Sequence, residues 1–209
     1  MSESAPTREV ARRAFAAEFN NASYTFKESD DERAPVYSLL PTGERANRVF
    51  AVGTLTETED VGDDSEYWRG RVVDPTGTFF SYAGQYQPEA ASALRETETP
   101  AYVAVVGKPR TYETDEGDTN VSLRPESITV VNAATRDRWV VETAERTLER
   151  IEAFEGAASE TSESDEAAVP GEYAAMAETQ YDPDLSVYRD QAVAALEDLE
   201  EDAEVAAEA

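Results

Sequence analysis

The residues best suited to chemistry lie between Tyr67 and Tyr86, in the run YWRGRVVDPTGTFFSYAGQY. Asp74, Pro75, Thr76 and Gly77 have the composition of a type I turn, with Pro second and Gly fourth, and they join two β-rich arms. Side chains alternate faces along a strand, so Arg69 and Arg71 share one face of the first arm while Trp68 sits opposite with Gly70 and Val72. On the second arm Phe80 and Tyr82 share a face, and Phe79, Ser81 and Ala83 take the other. Rings beside guanidinium groups suit a single-stranded nucleic acid, because bases stack on rings and cations attract phosphates. The same residues would also serve a barrel core, with the aromatics buried and the arginines paired to carboxylates. Alternation alone does not choose between the two.

A second group is Gly107, Lys108, Pro109, Arg110 and Tyr112, entering the loop Tyr112 to Asn120. A rare lysine beside an arginine and a tyrosine fits a loop that closes over a bound strand. It fits equally a pair of cations relieving repulsion from Glu113, Asp115, Glu116 and Asp118. The candidate nucleic-acid-binding residues are therefore Trp68, Arg69, Arg71, Phe80, Tyr82, Tyr86, Lys108, Arg110 and Tyr112. Gly107-Lys108 is not a phosphate-cradling loop, since Tyr102 stands where that motif needs its first glycine.

Most catalytic constellations are excluded by composition. The chain has no His and no Cys, which removes the commonest general base, thiolate nucleophiles and thiolate metal sites. Asp63-Asp64, Asp115 with Asp118, and Asp182 with Asp184 have spacings that a Mg²⁺ or Ca²⁺ ion could use. With 45 acidic residues such spacings arise by chance, so no metal, cofactor or catalytic residue is expected. Against those acids stand 18 Lys and Arg, for a net charge of −27, and the only lysines are Lys27 and Lys108. This is a salt-adapted signature. In concentrated KCl the Debye length shrinks to about 3 Å, so the acidity does not exclude nucleic acid as a partner. Met1 to Arg13 lacks the apolar stretch of a signal peptide and no run suits a membrane span, so the expected compartment is the cytoplasm.

The elements that must position these residues can be read from periodicity. Residues 7 to 19 place Val10, Ala11, Ala14, Phe15 and Phe19 on one side of a predicted helix, and the segment Asn20 to Asn47 is expected to wrap the next domain. Alternation then predicts strands over Arg48–Thr56, Tyr67–Val73, Thr78–Gln85, Tyr102–Lys108 and Val121–Val131, with a helix from Pro88 to Glu96 between the third and fourth. Three strands, a helix and two strands is the order of an OB-fold barrel, here spanning 48–135. The fold class is thus mainly β with α extensions.

After the barrel, Trp139, Val140, Val141, Ala144, Leu148, Ile151 and Phe154 give a helix over 136–155 a wide apolar face, which predicts a partner-binding surface. Residues 156–170 are poor in large aliphatic side chains and are predicted to be a disordered linker. Residues 171–209 are predicted to form an acidic helical tail, with Asp182 and Pro183 opening a helix that carries Leu185, Tyr188, Ala192, Val193, Leu196 and Leu199. From Ile151 to Ala209 there are 18 acidic residues and one basic, Arg189.

Five runs carry a family resemblance: REVARRAFAAEFN (8–20), LLPTGERANRVFAVGTLTE (39–57), EYWRGRVVDPTGTFFSYAGQYQPEAA (66–91), AYVAVVGKPRTY (101–112) and RDRWVVETAERTLERIEAF (136–154). In these the chain resembles haloarchaeal replication protein A-associated proteins, OB-fold companions of the archaeal single-stranded DNA-binding protein. The resemblance implies association with a replication protein A subunit, action in replication and repair, and no catalytic activity. The chain is also similar to the middle and small subunits of eukaryotic replication protein A, in which a helix after the barrel joins a subunit bundle. It lacks the middle subunit's winged-helix module. The expected function is a non-enzymatic accessory subunit that supports single-stranded DNA binding. The alternatives are a protein-only adaptor whose groove is closed by 20–47, and a metal-dependent nucleic-acid enzyme.

Overall fold

The computed structural model describes residues 9–114, 117–160 and 171–208. Its elements in chain order are β1 (Arg12–Arg13), α1 (Ala16–Asn20), β2 (Thr25–Lys27), β3 (Val36–Leu39), β4 (Arg45–Ala46), β5 (Val49–Asp60), β6 (Tyr67–Asp74), β7 (Gly77–Gly84), α2 (Pro88–Glu96), β8 (Ala101–Glu113), β9 (Thr119–Val130), α3 (Ala133–Glu160), α4 (Glu172–Tyr181) and α5 (Leu185–Glu208).

Barrel closure depends on β5, which is long enough to serve two neighbours. Val49 to Leu55 pair with β8, while Thr54 to Asp60 pair with β6 across a register shift between Leu55 and Glu57. β6 and β7 form the hairpin expected around Asp74 to Gly77, β7 meets β9 in parallel at Ser81 and Leu123, and β9 returns antiparallel to β8. The ring β5-β6-β7-β9-β8-β5, with α2 between β7 and β8, is a closed five-strand OB-type barrel. Inward residues such as Val49, Leu55, Val72, Phe79, Val105 and Leu123 fill it, and Ala90, Ala91 and Leu94 of α2 join the same core.

The N-terminal segment departs from the expected helix. Arg12 and Arg13 pair in parallel with Val49 and Phe50, and only Ala16 to Asn20 are helical. Two long-range bonds account for this. The Arg12 N–H donates to the Arg48 carbonyl at 2.8 Å, and the Ala16 N–H donates to Asp74 Oδ2 at 2.6 Å, which starts the helix there. Propensity is a weak prior against such contacts. Val10 is 79% exposed, whereas Ala14, Phe15 and Phe19 are buried and Phe19 meets Phe79 edge-on. Segment 20–47 forms a second, three-stranded sheet in the order β2-β3-β4.

α3 begins earlier and ends later than the periodicity of 136–155 suggested. Asn132 caps it, its Oδ1 accepting the Thr135 N–H at 2.9 Å, and the helix continues through Gly156 to Glu160. The start of the expected linker is therefore helical, and 161–170 lie outside the described residues. In the tail, Asp182 closes α4 in a left-handed conformation (φ 44°) instead of opening a helix. Asp184 takes the capping role, its Oδ1 accepting the Ser186 N–H at 3.1 Å.

The apolar face of α3 is covered by the chain itself. Trp139, Val140, Ala144, Ile151 and Phe154 are buried, Leu148 is half-buried, and only Val141 is exposed. Trp139 Nε1 donates to the Phe50 carbonyl at 3.2 Å and its ring meets Phe15 edge-on. Ala192 and Ala195 of α5 join that cluster, while Phe154 packs with Leu39, Ala174 and Ala177. The expectation of a free partner-binding face is corrected accordingly, because the tail supplies the apolar surface that a partner was expected to bring. Gly43 allows this docking: its φ is +82°, and a Cβ there would sit 2.8 Å from Phe154 Cδ2 and 2.9 Å from Ala174 Cα.

An aromatic clasp holds α4 on the second sheet. The Arg45 guanidinium lies 4.3 Å from the Tyr37 ring centroid and 5.7 Å from that of Tyr173. The Tyr37 hydroxyl donates to Glu9 at 2.6 Å, and that of Tyr173 donates to Glu28, which also pairs with Arg45. Burial, then these carboxylate acceptors, push both tyrosine hydroxyls up to about 12.

Two measurements check this layer. Ile151→Ala should lower stability by about 2–5 kcal/mol, read as a lower urea midpoint at unchanged slope; a neutral result would mean that α3 is not packed as described. In alkaline titration followed by tyrosine absorbance, Tyr37 and Tyr173 should ionise near 12 in the folded protein and near 10 when unfolded. Because the folded values are the higher ones, the clasp's contribution is complete below about pH 10 and is lost as pH rises through about 12. Tyr173→Phe should remove part of that loss.

Candidate nucleic-acid interface

Alternation on the β6–β7 hairpin separates its side chains as the sequence predicts. Phe79, Ser81 and Ala83 are buried inside the barrel, and Phe80 and Tyr82 lie half-buried on the outer face. Cross-strand register sets Arg69 opposite Tyr82 and Arg71 opposite Phe80, so the two rings and two guanidinium groups form one patch. Trp68 is opposite Ala83, on the inner face, and packs against the core. Its Nε1 is buried with no acceptor among the described residues. Trp68 is therefore removed from the candidate binding surface, and the parity that placed it opposite the arginines already carried that information.

The patch is organised before any ligand arrives. Tyr67 and Tyr82 stack with centroids 5.7 Å apart and planes inclined by 23°, and the Arg69 guanidinium sits 5.6 Å from the Phe80 centroid. Arg69 pairs with Glu59 at 2.5 Å, and Arg71 donates to Thr56 Oγ1 at 3.0 Å and Thr78 Oγ1 at 3.3 Å. Glu57 and Glu59 of β5 stand opposite Arg71 and Arg69 in register. Both arginines are thus already engaged, which leaves the rings as the freer surface. Burial, then Tyr112, push the Tyr82 hydroxyl up, with Arg69 opposing. Tyr112, near the end of β8, therefore lies within electrostatic range of Tyr82.

Sequence reasoning did not single out Tyr67 for this patch. The signal was present in Gly84, its cross-strand neighbour: a Cβ there would lie 2.8 Å from Tyr67 Cδ2, so the ring covers a glycine. Tyr67 and Tyr112 are each 44% exposed. The patch begins where the β5–β6 connection (61–66) enters β6 and reaches Tyr112 near the end of β8, the two places from which the loops bounding the binding face of an OB barrel arise.

Lys108 and Arg110 lie beyond the rings, on the β8–β9 side of the barrel. Lys108 is opposite Arg124 and Arg110 opposite Ser122 on β9. Burial, then Arg48, together with Arg124 and Arg110, push the Lys108 ammonium down against the pull of Glu126. Of the four acids these cations were expected to offset, Glu113 and Asp118 pair with neither Lys108 nor Arg110, and Asp115 and Glu116 lie outside the described residues. Tyr86 is 83% exposed on the turn before α2 and borders an open cavity of about 410 Å³ shared with Arg124, Pro125 and Glu126. Among the described residues no group of three or more acidic side chains is arranged to hold a metal ion, and no helix is long and apolar enough to cross a membrane.

No family model matches the chain, and no curated protein sequence matches it. Among solved structures it is similar to the mitochondrial single-stranded DNA binding protein Rim1 of S. cerevisiae, at 22% identity over 41% of this chain and 92% of that one (TM-score 0.32). It is similar to a small single-stranded DNA-binding protein of Streptomyces coelicolor at 19% identity over 42% and 95% (TM-score 0.29). An OBody bound to hen egg-white lysozyme matches at 18% identity over 41% and 80% (TM-score 0.34).

The geometry of the patch has a consequence that needs no ligand to observe. Gly84→Ala should displace the Tyr67 ring and loosen its stack on Tyr82, costing about 0.5–1.5 kcal/mol, the worth of such an aromatic pair. The expected readout is loss of the ring-current shift on the Tyr82 ring protons in a barrel that remains folded; an unchanged shift would mean that the two rings do not stack in solution.

Proposed function

We propose that the chain is a single-stranded DNA-binding protein that stacks bases on the outer face of its barrel, and that it acts as a non-enzymatic accessory subunit beside a replication protein A partner. The observation that carries the DNA contact is the outward patch of Phe80, Tyr82 and Tyr67 with Arg69 and Arg71, which begins where one of the two loops that bound an OB binding face enters β6. Stacking is sequence-tolerant and contributes about 1–3 kcal/mol per base. It also does not depend on counterion release, whereas phosphate neutralisation weakens steeply with salt. An acidic chain with few lysines therefore gains more from rings than from cations.

The partner role rests on the family resemblance of the sequence. The surface for it is not the inward face of α3, which the chain's own tail occupies. The protein-only adaptor reading required residues 20–47 to close the groove. Tyr67 and Tyr112 remain exposed, so that premise has no support.

Replacing Phe80 and Tyr82 together by Ala should weaken binding of a labelled single strand by at least about tenfold at high salt, on the order of one lost stack. Replacing Arg69 and Arg71 should weaken it less. Anisotropy in about 2–3 M KCl, where phosphate attraction is largely spent, reads the difference. Arginines that prove essential beside neutral rings would overturn the stacking mechanism, and strand binding indifferent to both pairs would leave the barrel a scaffold.

A further inference from the structure

Most basic side chains among the described residues are paired with an acid. Arg12, Arg13, Arg45, Arg48, Arg69, Arg95, Arg136, Arg138, Arg146, Arg150 and Arg189 each pair with a carboxylate. Of the others among the described residues, Lys27 donates to the Glu32 carbonyl, Arg71 to two threonines and Arg33 lies alone on an exposed turn. Lys108, Arg110 and Arg124 have no carboxylate partner among the described residues, although acids outnumber bases 45 to 18, and these three form a group. They are also neighbours. Lys108 and Arg124 face each other across β8 and β9, and Arg110 is two residues from Lys108 on the same side of β8. The nearest carboxylate, Glu126, is already paired with Arg48, so three like charges are held together with less than one counter-charge between them, at a cost in free energy that a bound anion would recover.

Their place on the barrel says which anion. β7 and β9 pair at Ser81 and Leu123, both fully buried, so the next residue on each, Tyr82 and Arg124, lies on the outer face of adjoining strands. One row therefore crosses the barrel: Arg69 on β6, Tyr82 on β7, Arg124 on β9 and Lys108 on β8. Arg48, beside Val49 at the start of β5, extends it and is itself held by Glu126 at 2.8 Å. The cations thus continue the line on which the rings sit, and Arg124 also lines the cavity beneath exposed Tyr86.

We propose that Lys108, Arg110 and Arg124 form a phosphate subsite for the backbone of the same single strand, gripping it after it leaves the rings of β7 and carrying it round the barrel towards Tyr86. This rests on the stacking function proposed above, and it divides the labour: rings hold bases on β6–β7, and unpaired cations hold phosphates on β8–β9. The Lys108 ammonium is pushed down by burial and by Arg48, Arg124 and Arg110 against the pull of Glu126, and a bound phosphate would act in the same sense as Glu126.

The test uses the full chain and labelled oligothymidylates of about 4 to 16 nucleotides, the range of site sizes known for OB folds. For the wild type, affinity should rise with length until the strand reaches both regions. The triple variant K108A/R110A/R124A should match the wild type on the shortest strand yet fall at least about tenfold behind on the longest. Its log affinity against log salt should be shallower by about 2, at about 0.7 per lost phosphate contact. F80A/Y82A should lose affinity at every length. Circular dichroism confirms folding, and K108Q/R110Q takes the place of the triple variant should that fail to fold. A triple variant with the wild-type length dependence and salt slope overturns the subsite and leaves the stacking function standing. A wild type that binds no strand overturns both.

Discussion

A buried ion pair joins the N-terminal segments that wrap the barrel to the long helix that follows it. Glu18, 1% exposed on α1, accepts from Arg150 of α3 at 2.6 Å, and Arg150 also donates to Thr42 Oγ1 at 2.9 Å and to the Arg13 carbonyl at 3.3 Å. Thr42 in turn donates to Glu18. One guanidinium thus joins the parallel strand β1, the short helix α1, the turn after β3 and the long helix α3. Removing one member of such a pair strands the other in a medium that solvates it poorly, at a cost of about 3–5 kcal/mol. Arg150 and Phe154 lie one turn apart on α3, so the same helix that holds Glu18 and Thr42 also brings Phe154 against Gly43 and Ala174.

Asp74 has a similar joining role at the other end of α1. The carboxylate that shapes the β6–β7 turn, accepting the Thr76 and Gly77 N–H groups, also accepts the Ala16 N–H. Burial pushes its carboxyl up, and those hydrogen bonds oppose the shift. The hairpin that presents the rings is therefore braced from outside the sheet by the N-terminal segment. A surface for stacking needs a stiff support, because motion in the platform is entropy that binding must then remove.

Where sequence and structure agree, the reason is local chemistry. Alternation in RGRVV and TFFSYA placed Phe80 and Tyr82 outward and Phe79 inward, since period two follows directly from the pleat. Pro88 with the alanines behind it defined α2 to the residue. Where they part, distant contacts decided. Nothing near Arg12 announces a partner at Val49, and the apolar face of α3 looked unpartnered because Ala192 and Ala195 lie far along the chain. Small residues give a weak hydrophobic signal while allowing helices close approach. Tyr67 was missed for the same reason, its role being set by Gly84 across the hairpin. Trp68 was a different failure: its parity was read correctly and then overruled by its chemical type. Asn132 is a cap that the sequence does display, immediately before Ala133 and Ala134.

Barrel closure has a further consequence for how this chain can meet another protein. Because β5 bonds to β8 along its first half, to β6 along its second, and to β1 beside Val49, this strand has little unpaired backbone to offer, whereas β8 runs on past Gly107 without a β5 partner. Strand addition, by which many domains recruit an extended peptide, needs a free edge of some length. In the second sheet β2 presents one, but only from Thr25 to Lys27 and with a lysine at its end, a combination that discourages edge-to-edge pairing. A partner that met this chain at β5 would therefore have to recognise it by side chains and shape, and β5 is a poor template for a second barrel even in salt that screens their charge.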